Sequence, residues 1–325
     1  MDNLAREFTG DTSHAALMQG LADQHDVLLD LIGNRPIHYV DFPVHGNIGD
    51  LLIMHGTLAF FRRHSLVPKI SAPAFSYKPK WLSGDDVVVF HGGGNFGDLY
   101  TEYGMQVLRE KVVSSRPGNR IIVLPQTIHF SSAAEKQRSA QAFRQHPDIH
   151  ICVRDHASYR IAQEFSDNVY LLPDMAHQLY RINPKEVSEE VGALRISRTD
   201  GEKKIEGNLQ SRVEASIDWP LLVGDDERRI ESFRRAMRVM HKCGASWLGN
   251  KAASGLWANY SARLIDHAVA LFSSYQHIVT DRLHGHILAC LMDKPNTVID
   301  NSYGKNSSYV NAWTINSPLV SLQPT

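Results

Sequence analysis

The sequence predicts an α/β protein, on two observations: short β-prone runs recur along the chain, and segments with helical spacing of apolar residues separate them. That alternation implies a parallel sheet covered by helices on both faces. In order, the strand candidates of the first half are Ile37 to Phe42, Val87 to Phe90, Ile121 to Leu124, Ile149 to Val153 and Val169 to Leu172. Between them, Leu51 to His64 and Tyr100 to Val113 have helical spacing. From Asn183 to Pro220 the chain turns polar and charged, with Glu186, Glu189, Glu190, Arg195, Arg198, Asp200, Glu202, Lys203 and Lys204. Apolar periodicity then resumes, so the junction between two domains, residues 1–182 and 183–325, is placed near the start of that stretch. The second half offers strands at Leu194 to Ser197, Ile278 to Thr280 and Thr297 to Ile299, and helices at Asp226 to Lys242 and Trp257 to Tyr275. It reads as a second, smaller α/β layer.

Composition narrows the function classes. Thirty-four Lys and Arg against 35 Asp and Glu leave a formal charge of −1, so no global field favours nucleic acid and any anion site is local. Cys152, Cys243 and Cys290 are scattered and odd in number, which indicates neither a disulfide framework nor a zinc cage and fits a reducing cytoplasm. The first 31 residues carry Asp2, Glu7, Asp11 and Asp23 without an uninterrupted apolar stretch, so a soluble protein with neither signal peptide nor span is expected.

Chemistry concentrates at strand ends, where open α/β sheets place their ligand crevice. The run Thr280-Asp281-Arg282-Leu283-His284-Gly285-His286 sets a cation and two imidazoles between a strand and an apolar helix-like run. Arginine offers a planar fork to carboxylate or phosphate and histidine moves protons near neutral pH, so acid/base chemistry on an anionic small molecule is expected. His45-Gly46-Asn47-Ile48-Gly49-Asp50 follows the first strand, with Asp50 placed to cap a helix starting at Leu51. His91 to Asp98 contains G-x-G-x-x-G at Gly92, Gly94 and Gly97, yet the next strand ends in Pro125-Gln126-Thr127, without the acid that binds a dinucleotide ribose. The lipase G-x-S-x-G is absent too, and what remains is a flexible turn whose backbone N–H groups can meet an anion or a sugar. Arg154 follows another strand and, with Arg282 across a cleft, would suit a ligand bearing both carboxylate and phosphate. The helix Asp226 to Lys242 is basic and amphipathic, which reads first as a solvated cationic face and second as a contact for anionic lipid headgroups.

Several motifs taken together carry a resemblance: Gly46-Asn47-Ile48-Gly49-Asp50, Gly92 to Asp98, Leu124-Pro125-Gln126, Val153-Arg154, Leu172 to His177, Arg282 to His286 and Asp300 to Asn306. Their order and spacing from Tyr39 to Trp313 resemble the polysaccharide pyruvyl transferase family, and within it the bacterial exopolysaccharide enzymes. The resemblance implies two Rossmann-like domains facing a cleft, as in GT-B glycosyltransferases, with phosphoenolpyruvate as donor and no metal or cofactor. It implies His284 as general acid, with Arg282 and Arg154 holding the anionic ends of the donor. Lys305 and Asn306 are placed to reach phosphate, Asn47, Asp50, Gly93, Gly94 and Asn95 to make acceptor or loop contacts, and His286 either to touch the ligand or to serve a structural role. Asp174 and His177 are read as structural. The acceptor expected is a lipid-linked oligosaccharide, met in the cytoplasm at the inner face of the membrane; homo-oligomerisation and peripheral membrane contact stay open. A nucleotide-sugar glycosyltransferase and a non-catalytic polysaccharide-assembly protein are the alternatives.

Overall fold

A computed structural model describes residues 13–100, 104–198, 214–300 and 304–323. Asp2, Glu7 and Asp11, the charged residues Asp200, Glu202, Lys203 and Lys204, and Asn301-Ser302-Tyr303 of the last motif lie outside the described residues.

Seven strands build the first sheet: β1 Ile37–Val40, β2 Ile70–Ala72, β3 Val87–Phe90, β4 Gly93–Gly97, β5 Ile121–His129, β6 Ile149–Val153 and β7 Val169–Leu171. They lie parallel in the order β2-β1-β3-β5-β6-β7, with β4 also pairing with β5. β3 is buried along its whole length, as a run of Val87-Val88-Val89-Phe90 requires when helices cover both faces. Five strands form the second parallel sheet: β8 Val191–Ile196, β9 Ala215–Ile217, β10 Tyr275–Thr280, β11 Asn296–Val298 and β12 Val320–Leu322, in the order β12-β11-β10-β8-β9. The expected junction at 182/183 falls between β7 and β8.

Two differences from the sequence reading concern the site. The glycine-rich run is a strand, not a free turn: Gly93–Gly97 pairs with an unexpectedly long β5, and a Cβ at Gly97 would meet the His129 carbonyl oxygen at 1.7 Å, so only glycine allows that approach. The helix after β1 begins at Ile48, not Leu51, and Asn47 is its N-cap, accepting from Gly49 N–H at 3.0 Å. Asp50 therefore sits inside the first helical turn, where the helix dipole favours a carboxylate.

Side chains of the second half pin the loops of the first. Trp257, in the helix Ser246–Ser273, donates to the Pro43 carbonyl at 2.7 Å, and Trp313, in the helix Lys305–Trp313, donates to the Arg154 carbonyl at 2.8 Å. The segments that follow β1 and β6 are thus fixed by buried aromatic donors, which are satisfied only in this arrangement.

Candidate active site

A cavity of about 660 Å³ lies beyond the C-terminal ends of the strands, lined by residues that follow β1, β2, β3, β6, β8 and β10. Of the residues singled out in the sequence, Asn47, Asp50, Gly94, Asn95, Arg154, Arg282, His284 and Lys305 line it.

Its chemistry centres on Asp174. This fully buried carboxylate follows β7, caps the turn Met175–Leu179 by accepting from Ala176 N–H at 2.9 Å, and turns its other oxygen to Arg154 and His284. Arg154 donates to that oxygen through Nη1, and His284 Nε2 stands 3.3 Å away, off the line of a good hydrogen bond. Burial alone would raise the Asp174 carboxyl, but His284 and Arg154 overcome it and hold it well below the usual carboxylate range. Asp174 is thereby favoured as the anion and positions both groups. The sequence reading had made it structural because nothing in Leu172-Pro173-Asp174 shows what its side chain meets.

Arg154 is 2% exposed, and Nε donates to Thr127 at 3.0 Å. Its Nη2 lies 3.4 Å from the point where a Cβ on Gly94 would stand, and Lys305 Nζ lies 3.1 Å from that same point. The two nitrogens are therefore no more than 6.5 Å apart, close enough to share one anion. Lys305 opens the helix Lys305–Trp313 after the left-handed Gly304, so the helix N-terminus adds its dipole there.

Arg282 lines the cavity with its fork engaged. Asp218, the N-cap of the helix Trp219–Val223, accepts from Nε at 2.5 Å and Nη2 at 2.7 Å, a bidentate pair that fixes the guanidinium plane. The backbone immediately after carries His284 over the start of the helix Ile48–Arg63: a Cβ at Gly49 would come within 2.6 Å of His284 Nδ1.

Three expected residues lie elsewhere. His286 is fully buried, with Nδ1 2.7 Å from Asn296 Oδ1 and Nε2 2.9 Å from Thr314 Oγ1, and burial lowers its imidazole to about 4. Because the helix starts at Leu283, two residues past His284 is about 200° around it, which turns His286 into the core. Asn306 is also buried, donating to the carbonyls of Asp281 at 2.6 Å and Ile299 at 3.0 Å, so it fastens loops rather than meeting phosphate. Gly93, at φ 122°, does not line the cavity, and a Cβ there would meet Ile53 at 3.4 Å and Asp50 at 3.6 Å. Asn95 reaches the cavity, but its Oδ1 already accepts from Arg109 at 2.6 Å and Gln126 at 3.0 Å. His177 is structural as expected, paired with Tyr309 Oη at 2.9 Å, and burial lowers it to about 3.

The sequence reading missed a second group. Asp41 adopts φ 70° at the end of β1, lines the cavity and pairs at 2.7 Å with the buried Arg109. Burial pushes its carboxyl up against the pull of Arg109, and nearby Asp50 adds to the rise, to about 6. His91 lines the cavity with Nδ1 2.7 Å from Tyr39 Oη and Nε2 buried without a hydrogen-bond partner; burial lowers it to about 3, so the ring is a neutral donor or acceptor. Arg198, just past β8, occupies the same kind of strand-end position as Arg154 and could have been found by that rule. Arg234 and Arg238 also line the cavity, from a helix read as outward-facing. Among the described residues no group of three or more His, Cys, Asp or Glu side chains is placed to hold a metal ion.

The model of a family described as polysaccharide pyruvyl transferase matches residues 47–303. The chain is 39% identical over 317 residues to the Bacillus subtilis protein named "Putative pyruvyl transferase EpsO", covering 96% of this chain and 95% of that one. It is 28% identical to "Pyruvyl transferase 1" of Schizosaccharomyces pombe, covering 86% of this chain and 70% of that one. A crystal structure of a Klebsiella pneumoniae protein shares the fold, with a TM-score of 0.61 at 20% identity over 94% of this chain and 99% of that one.

Proposed function

The chain belongs to the polysaccharide pyruvyl transferase family, and we propose that it transfers the pyruvyl group of phosphoenolpyruvate to a sugar of a lipid-linked exopolysaccharide unit, forming a ketal and releasing phosphate. In this reading the two sheets belong to two Rossmann-like domains facing a GT-B-like cleft, and the enzyme works in the cytoplasm at the membrane's inner face. No helix among the described residues is long and apolar enough to cross a membrane.

Phosphoenolpyruvate is an enol phosphate, so a proton delivered to C3 makes C2 electrophilic. One sugar hydroxyl adds there, phosphate leaves from C2, and a second hydroxyl of the same sugar closes the ketal. Of the two hydroxyl protons, one replaces the proton delivered to C3 and the other leaves with phosphate. The donor is a compact anion, and the observation that carries the reading is the convergence of Arg154 Nη2 and Lys305 Nζ beside Gly94, next to an imidazole held by an ionised carboxylate. In the proposed complex this pair holds one anionic end, and Arg282, kept in plane by Asp218, faces the other. His284 delivers the proton to C3, and Asp174 stabilises the imidazolium before transfer. On the acceptor side, Asp50 and the neutral His91 offer hydrogen bonds to sugar hydroxyls.

The test is incubation with labelled phosphoenolpyruvate and the host's lipid-linked oligosaccharides, following phosphate release and locating label by mass spectrometry. His284→Ala is expected to lower turnover by about 10²-fold or more, the usual scale for general acid catalysis, with donor binding retained. Protection against heating by a nucleotide sugar but not by phosphoenolpyruvate would instead mark a glycosyltransferase.

A further inference from the structure

The helix Asp226–Lys242 is two-sided in its charges. On its outward side Arg228, Arg229 and Arg235 are exposed and paired with Asp225, Asp226 and Glu231, the pattern of a solvated face. Arg234 and Arg238 instead line the cavity, on a stripe shared with Glu227, seven and eleven residues before them. Arg234 donates to Glu231 through Nε at 2.8 Å and also through Nη2, so Nη1 is the nitrogen it has left for a ligand. Arg238 has no carboxylate partner among the described residues, and its guanidinium rests 5.2 Å from the centre of the Phe75 ring, which orients the fork and leaves its edge available.

This cationic pair is remote from the donor end. Phe75 follows β2 and Arg154 follows β6, four steps apart in the sheet order, so at about 4.8 Å per step the two positions are separated by about 19 Å along the strand ends. A three-carbon donor cannot reach both. Between them the wall carries Asn47, His91 and Asp50, groups suited to sugar hydroxyls. Glu227, which would oppose an anion, is about 16 Å along the helix axis from Arg238 and about 10 Å from Arg234.

We propose that Arg234 and Arg238, with Phe75 beneath, form a second anion subsite at the far end of the cavity that binds a phosphoryl group of the acceptor. The proposal rests on the pyruvyl-transfer reading and narrows its substrate: the acceptor is a glycan still attached through phosphate, and the finished neutral polymer is the poorer substrate. Arginine pairs suit phosphate oxygens through two parallel hydrogen bonds, and a guanidinium seated on an aromatic face loses little freedom on binding.

The probe is inorganic pyrophosphate, titrated calorimetrically into the protein with the donor end occupied by saturating phosphoenolpyruvate. Wild type is expected to bind it, Arg238→Gln and Arg234→Gln to weaken it at least tenfold, and Arg235→Gln, on the outward side, to leave it unchanged. A parallel arm sediments the proteins with phosphatidylglycerol vesicles, because a lipid headgroup presents the same phosphoryl chemistry from outside the cavity. Pyrophosphate affinity that ignores Arg234 and Arg238 overturns the subsite, as does vesicle binding that depends on the pair while pyrophosphate does not bind. Failure of phosphoenolpyruvate to bind would remove the reading of the donor end, whereas the dependence of pyrophosphate binding on Arg238 would still decide the far one.

Discussion

Gly49→Ala separates positioning of the acid from binding of the donor. A Cβ at Gly49 would stand 2.6 Å from His284 Nδ1, 2.8 Å from Cγ and 2.9 Å from Cβ, where ordinary contact begins near 3.4 Å. Rotating the ring does not relieve this, since the His284 Cβ is itself about 0.5 Å too close, and the whole side chain must retreat by about 0.8 Å at Nδ1. Misplacing a reacting group by about 1 Å costs on the order of 10²-fold in rate, or about 2.7 kcal/mol of barrier. The helix itself gains, because alanine exceeds glycine by up to about 1 kcal/mol in helix propensity, so global stability should hold. Arg154 and Lys305 come from other elements and Arg282 is held by Asp218, so donor affinity should hold as well. The assay is phosphate release at saturating phosphoenolpyruvate and acceptor, with calorimetric donor affinity and a melting curve on the same preparation. Turnover within about threefold of wild type in a protein that melts normally would refute the placement of His284 at the reacting carbon.

Three further outcomes follow from the same geometry. Asp174→Asn leaves the buried Arg154 without its counter-ion and should destabilise the protein by about 3–5 kcal/mol, read from denaturant unfolding; a loss below about 1 kcal/mol would show that Asp174 does not hold Arg154. His91, His177 and His286 are buried with imidazoles held down to about 3, 3 and 4, whereas an unfolded histidine titrates near about 6.5. The folded state therefore binds fewer protons than the unfolded one between those values, so stability is present above about pH 6.5 and is lost as pH falls, on the order of 2 kcal/mol per group by pH 5; an unchanged melting temperature between pH 7 and pH 5 would contradict this. Gly255 lies within the helix Ser246–Ser273 with nothing within 4 Å of a prospective Cβ, so Gly255→Ala should add up to about 1 kcal/mol of stability, and a lowered melting temperature would show a constraint there that the packing does not.

The fold was legible where a single rule decides. A run such as Val87-Val88-Val89-Phe90 can be buried on both faces only inside a covered parallel sheet, and Asp226–Lys242 announces its helix by periodicity alone. Three of the five three-residue strands were missed: Ile70–Ala72, Ala215–Ile217 and Val320–Leu322 are too short to show alternation and exist because a neighbouring strand offers its edge, while Val169–Leu171 and Asn296–Val298 were found. Gly93–Gly97 was missed for the opposite reason. Its composition argues for a turn, and only pairing with β5 makes it a strand.

The site divides along the same line. Arg154, Arg282 and His284 reach the cavity from strand ends and were found by that position, whereas Arg234 and Arg238 reach it from a helix and were not. What each cation faces is a long-range fact that local sequence does not carry: Arg282 meets Asp218 from 64 residues away, and Arg154 meets Asp174. Those carboxylates change the meaning of the arginines. A bare guanidinium binds any anion, whereas one already held in plane by a buried acid presents only its remaining edge, in one orientation. The same logic separates the two ends of the cavity. At the end proposed for the donor, Arg154 and Arg282 are anchored by buried acids, an arrangement that would fix their geometry before the ligand arrives, as the proposed transfer requires. At the far end Arg238 rests on an aromatic ring and Arg234 on Glu231, a softer arrangement that suits holding an acceptor rather than activating one.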